Sequence, residues 1–330
     1  MTPLRGSLLD RRLLIIAGKG GVGKTTVACA LALVAAQAGK RTLLAEVDGA
    51  GRAAWLLGIE PAPVGQAREA RASLSVMSVD GSAALAEYLE IIMPVKRVLQ
   101  AVLSSRIYQY FVAAAPGLKE LMTVGKIWYE AERSDDGQRR WDLVIFDAPA
   151  TGHSLQYLRM PGAAHDTFGS GLVARESQRI VDLLTDARCT AINLVTTAEE
   201  MPVNETLEMY EQIRDELHLP LGILFANRVH HCEFTTADLD GIAQRLDRIT
   251  DPLERAMAEE AVLRGREEVG WSAINHKYLE QLRREVDMPL VEIPFVFAEE
   301  FGAAHVQNIA TAVAPIVTRS TRRAHGNARS

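Results

Sequence analysis

The chain alternates between short apolar runs and longer stretches in which apolar positions recur every three or four residues. Arg12–Ala17, Thr42–Val47, Leu74–Val79, Leu143–Phe146, Thr190–Val195, Leu221–Ala226 and Leu290–Ile293 are candidate strands, several of them apolar on consecutive positions. Strands apolar on both faces belong inside a parallel sheet that is covered on both sides. Helical spacing fills the intervals, as in Thr25–Ala38, which Gly39 stops, and in Thr206–Leu217. This alternation predicts an α/β fold: a doubly wound, mainly parallel sheet.

One interval breaks the rhythm. Between the strands near Leu74 and Leu143 no strand pattern occurs. Leu85, Tyr88, Leu89, Ile92, Val95, Leu99, Val102 and Leu103 recur at helical spacing, with Pro94 kinking the stretch or starting a second helix. A further pattern follows Pro116-Gly117 through Leu118, Leu121, Met122, Gly125, Trp128 and Tyr129. The pattern predicts a helical insertion over about 83–135 and a second helical segment over about 236–286. Both are read as parts of one domain, 1–317, and the arginine-bearing tail 318–330 as disordered. Met93, Met122, Trp128, Tyr108, Tyr110 and Phe111 in the insertion would line either its own core or a groove for an apolar client.

Composition narrows the function classes. A formal net charge of −6 argues against a broad nucleic-acid footprint. Cys29, Cys189 and Cys232 are far apart and form no C-x-x-C pair, so neither structural zinc nor a disulfide framework is expected. Leu13–Ala17 is too short for a signal segment, and no run reaches the ~18 apolar residues of a membrane span. A cytoplasmic protein is expected, serving a membrane, if at all, from the surface of its inner face. His230-His231-Cys232-Glu233 reads as a solvated loop, because neighbours on an extended segment point to opposite sides.

The strongest chemical signal is Gly18-Lys19-Gly20-Gly21-Val22-Gly23-Lys24-Thr25-Thr26, which satisfies G-x-x-x-x-G-K-[ST] between an apolar strand and a helix. Glycines let backbone N–H groups turn inward around phosphate oxygens, and the helix N-terminus adds partial positive charge. In this arrangement Lys24 neutralises the β and γ phosphates of ATP, and the Thr25 hydroxyl is a ligand for Mg²⁺. Two strands end in carboxylates. Asp48 follows Thr42–Val47, and Asp147 closes Leu143–Phe146 in a Walker B pattern that suits Mg²⁺. Asp48, at the C-terminal edge of a parallel strand, either faces the ligand crevice or initiates the turn before Gly49. Glu46, two residues earlier, is a candidate for additional charge at the metal.

Lys19, a second lysine early in the loop, resembles the deviant Walker A of the MinD, ParA, nitrogenase iron protein and ArsA-like ATPases. The resemblance implies that Lys19 reaches the nucleotide of a facing subunit, and hence a dimer. Asp147-Ala148-Pro149-Ala150-Thr151-Gly152-His153-Ser154-Leu155, with Leu158 and Pro161, resembles the switch II signature of the ArsA-type anion-pump and tail-anchored-protein targeting ATPases. Weaker matches extend over 12–312. They are Pro116-Gly117 with Glu120, Glu205-Thr206, Asn227-Arg228, and Pro294-Phe295 with Glu299 and Gly302. The likeness implies that Asp48 is the switch I aspartate and that Asn227, Pro294 and Phe295 lie on the adenine side. Asn227 read alone is equally a strand-end turn residue.

Departures from the family pattern carry information of their own. Switch I, usually D-P-A-H-N-L-S-D, is here Asp48-Gly49-Ala50-Gly51-Arg52-Ala53-Ala54-Trp55. The metalloid-binding cysteines and the dimer-bridging C-x-x-C have no counterpart. The arsenite pump ATPase carries two such halves in one chain and this chain carries one. The resemblance therefore implies a homodimer or a heterodimer with a paralogue, serving a membrane protein or an apolar client. A MinD/ParA-like positioning role is the alternative, although the tail lacks the apolar face such a role needs.

Overall fold

The computed structural model describes residues 6–47, 51–93, 105–106, 115–150 and 153–319. An eight-stranded sheet forms the centre. Its strands are β1 (Leu13–Gly18), β2 (Thr42–Val47), β3 (Arg68–Arg71), β4 (Leu74–Val79), β7 (Leu143–Asp147), β8 (Thr190–Thr197), β9 (Leu221–Val229) and β10 (Leu290–Pro294). A small hairpin, β5 (Ser134–Asp135) and β6 (Gln138–Arg139), stands apart from it. The spatial order is β10-β9-β8-β1-β7-β2-β4-β3, and every neighbouring pair is parallel except β3–β4.

Alternation along each central strand feeds two cores. Leu13, Ile15 and Ala17 of β1 face one side; Leu14 and Ile16 face the other. The second side is closed by α1 (Lys24–Gln37), α2 (Arg52–Leu56) and α10 (Ala303–Val317). The first is closed by α4 (Leu118–Glu132), α5 (His153–Phe168), α6 (Leu172–Thr185), α7 (Glu200–Glu211) and the C-terminal half of α9 (Pro252–Glu285). Helices α3 (Gly81–Ile92) and α8 (Thr236–Ala243) complete the described set. Helix α1 is buried along almost its whole length, which is why its sequence is Ala-, Leu- and Val-rich rather than amphipathic.

The chain leaves β1 for β2 on one side, and β8, β9 and β10 build the other. The loop after β1 therefore lies where the strand order reverses, the position at which open α/β sheets bind ligands. The helical insertion is joined to this frame by close backbone approach. Gly117 has φ +77°, and a Cβ there would sit 2.2 Å from Met160 Sδ on α5. Pro94, Tyr108, Tyr110 and Phe111 lie outside the described residues, as does the tail from 320 onward; Trp128 packs against the core. Among the described residues no helix is long and apolar enough to cross a membrane.

Candidate functional site

The glycine loop is shaped by its glycines and by two neighbouring strands. Gly18 has φ +151°, and a Cβ there would lie 2.2 Å from the Val195 carbonyl oxygen on β8. Gly21 and Gly23 have φ +87° and +94°, a region that L side chains avoid. Gly20 is exposed beside Ala150. Helix α1 starts at Lys24, so the N–H groups of its first turn, including those of Thr25 and Thr26, face the loop without partners in the helix. The Lys24 ammonium donates to the Lys19 carbonyl at 3.0 Å. Burial pushes its pKa down, and the Asp147 charge opposes that.

Two carboxylates stand side by side below the loop. Asp147 and Glu46 are register partners on β7 and β2. Thr25 Oγ1 donates to Asp147 Oδ2 at 2.6 Å, whereas Asp147 Oδ1 is buried with no hydrogen-bond partner among the described residues. Burial pushes the Asp147 pKa up to about 6, against the Thr25 bond and the charges of Lys24 and Arg52. Glu46 Oε1 accepts from the Ala53 N–H at 3.2 Å; burial pushes its pKa up to about 7. An orphaned carboxylate oxygen beside a hydroxyl and a second carboxylate is a donor set that fits a hard divalent cation. Such a cation would supply the countercharge that these acids lack. Asp48 and Gly152 lie outside the described residues.

Lys19 extends to the other side of the loop, where its ammonium donates to Glu205 Oε1 of α7 at 2.6 Å. Thr206, the next residue, is turned into its own helix and donates to the Pro202 carbonyl at 2.7 Å.

The three residues read as an adenine side fall in two places. Asn227 is buried under the loop: its amide donates to the Val22 carbonyl at 2.8 Å, and a Cβ on Gly23 would meet its Nδ2 at 2.2 Å. Pro294 ends β10 and Phe295 donates its N–H to the Val229 carbonyl at 2.9 Å. The Phe295 ring stacks on His230 at 4.5 Å, and Trp271 stacks on the same imidazole at 5.9 Å. His230 Nδ1 lies 2.9 Å from Glu268. His230 is thus half-buried in an aromatic stack rather than free in a solvated loop, because α9 crosses the end of β9 and brings Trp271 and Glu268 to it. No local pattern marks that crossing; Trp271 stands in an otherwise charge-rich helix.

Arg52 and Cys29 are neighbours of the site that the sequence did not single out. Cys29 lies one turn after Thr25, fully buried, its thiol 3.8 Å from the Ala53 carbonyl. The spacing of Thr25 and Cys29 on α1 carried that signal.

Comparison with known proteins identifies the group this architecture resembles. The model of a family described as anion-transporting ATPase matches residues 11–176. ATPase BagA of Mycobacterium tuberculosis is 35% identical over 222 residues, covering 66% of this chain and 65% of that protein. The arsenical pump-driving ATPase of Escherichia coli is 28% identical over 222 residues, covering 61% of this chain and 36% of that one. ATPase get3 of Schizosaccharomyces japonicus is 28% identical over 183 residues, covering 53% and 54%. The match thus spans just under two thirds of the mycobacterial relative and about a third of the bacterial pump ATPase.

Proposed function

The chain belongs to the anion-transporting ATPase family, and on that premise we propose that it binds and hydrolyses Mg²⁺–ATP as a nucleotide-bridged dimer. The observation that carries this reading is the Thr25–Asp147 pair under the glycine loop, with one carboxylate oxygen unpartnered among the described residues. Mg²⁺ held there by Thr25 and Asp147 would neutralise charge on the β and γ phosphates.

The remaining roles fall to the chain itself. Backbone N–H groups of 20–25 cradle the phosphates, and Lys24 adds a cation at the β–γ bridge. Asp48 orients a water for in-line attack. The water oxygen bonds to the γ phosphorus, the bond to the β–γ bridging oxygen breaks, and ADP and phosphate leave. Lys19 serves the nucleotide of the facing subunit once it leaves Glu205.

Conformational change on hydrolysis would then serve a membrane partner or an apolar client. Arsenite itself is disfavoured: Cys189 precedes β8 and Cys232 follows β9, at opposite ends of two neighbouring parallel strands, and Cys29 is buried in α1. A thiol trio cannot converge within one chain.

The test is direct. Lys24→Ala abolishes nucleotide binding, and Asp48→Asn binds ATP without turning it over. Normal turnover by Asp48→Asn overturns the assignment of the water-positioning group. Co-purification with and without trapped ATP identifies the partner.

A further inference from the structure

Arg52 opens α2, and the backbone beside it is fastened at two points. The Ala53 N–H donates to Glu46 Oε1 at 3.2 Å, and the Ala53 carbonyl lies 3.8 Å from the Cys29 thiol. Glu46 is the register partner of Asp147, and Cys29 lies one turn beyond Thr25. Residue 52 therefore leaves from a backbone unit tied to α1, which carries Thr25, and to β2, the strand paired with that of Asp147.

Its guanidinium is exposed, and among the described residues it has no hydrogen-bond or ion-pair partner. Burial raises the pKa of both Asp147 and Glu46, and the Arg52 charge opposes that rise in each. Two buried carboxylates and a triphosphate in one place call for more cation than Lys24 and one metal ion supply. A planar guanidinium matches phosphate oxygens with two parallel N–H groups.

Direction selects which phosphate. The Thr25–Asp147 pair lies under the loop at β7, and β2, which leads into α2, is the strand next to β7. A cation held by that pair would serve the β and γ phosphates, so the terminal phosphate lies towards α2. We propose that Arg52 is a phosphate-contacting residue that binds the terminal phosphate of ATP in cis, from a helix held in place by Glu46 and Cys29. This assignment rests on the ATP reading above.

The experiment compares full-length wild type, Arg52→Ala and Arg52→Lys for affinity towards a non-hydrolysable ATP analogue and towards ADP, both with Mg²⁺. Arg52→Ala is expected to weaken the analogue at least about tenfold while changing ADP less than about threefold, with Arg52→Lys between. Equal loss of both nucleotides, or loss of neither, overturns the proposal. The ATP reading fails separately: wild type then binds neither nucleotide, or Lys24→Ala binds both as well as wild type does.

Discussion

Lys19 Nζ and Glu205 Oε1 lie 2.6 Å apart within one chain, although 186 residues separate them in sequence. The lysine assigned by resemblance to a neighbour's nucleotide is here held by a carboxylate of its own α7. Both side chains are partly exposed, 26% and 34%, so the pair contributes at most about 1 kcal/mol. A contact of that strength can be exchanged for a phosphate when two subunits meet.

Glu205→Gln should therefore leave the fold intact, moving the thermal midpoint by less than about 4 °C. It should lower the ATP concentration at which dimers form, and Lys19→Ala should prevent ATP-dependent dimers. Sedimentation across an ATP series checks both. Identical dimerisation in Glu205→Gln and wild type would show that the contact restrains nothing.

Gly23→Ala meets two obstacles at once, a φ of +94° and the Asn227 amide. Left-handed backbone costs about 1–2 kcal/mol, and loss of the Asn227–Val22 bond about 1–3 more. The variant should bind nucleotide on the order of a hundredfold more weakly while its far-ultraviolet circular dichroism stays native. Asn227→Ala, which removes the bond alone, should fall between it and wild type in a nucleotide titration.

These contacts separate what the sequence could show from what it could not. β2 was legible to the residue, because a six-residue run buried on every position has one plausible environment. β3 was not: Arg68, Glu69 and Arg71 sit on an exposed antiparallel edge, where no apolar period marks a strand. The glycine loop was legible because its chemistry is contiguous. Asn227, placed on the adenine side by resemblance and otherwise a strand-end turn residue, bonds to Val22, 205 residues away, a partner that only the adjacency of β8 to both β1 and β9 brings to it. His230, read as part of a solvated loop, is instead half-buried, since α9 supplies its neighbours from 38 residues downstream.

Asp147→Asn keeps an oxygen for the Thr25 hydroxyl and removes a buried charge. Without metal, the variant should be at least as stable as wild type. With nucleotide, the Mg²⁺ concentration for half-maximal turnover should rise at least about tenfold. Turnover measured against Mg²⁺ decides; an unchanged midpoint would take Asp147 out of the metal site.

The two raised carboxylates make a signed prediction about pH. Glu46 rises from 4.5 to about 7 and Asp147 from 3.8 to about 6, so the folded chain binds more protons than the unfolded chain in this window. Metal- and nucleotide-free protein should draw the full stabilising contribution of these two groups only below about pH 4. It should lose stability from these groups as pH rises through 6 and 7, at up to ~1.4 kcal/mol per pH unit for each titrating proton. Glu46→Gln should flatten the upper part of that slope. Urea midpoints measured from pH 5 to 8 would expose the opposite trend.

Gly117 and Met160 meet by close approach: the Met160 sulfur lies against the bare backbone of Gly117. The helix that carries Met160 starts six residues after Asp147. A seam of that kind is blind to salt and to protons and passes on only mechanical displacement. Its tightness is graded in single carbon atoms, which gives descendants of this gene a way to retune how firmly the outer helices feel the catalytic floor while leaving every phosphate ligand untouched.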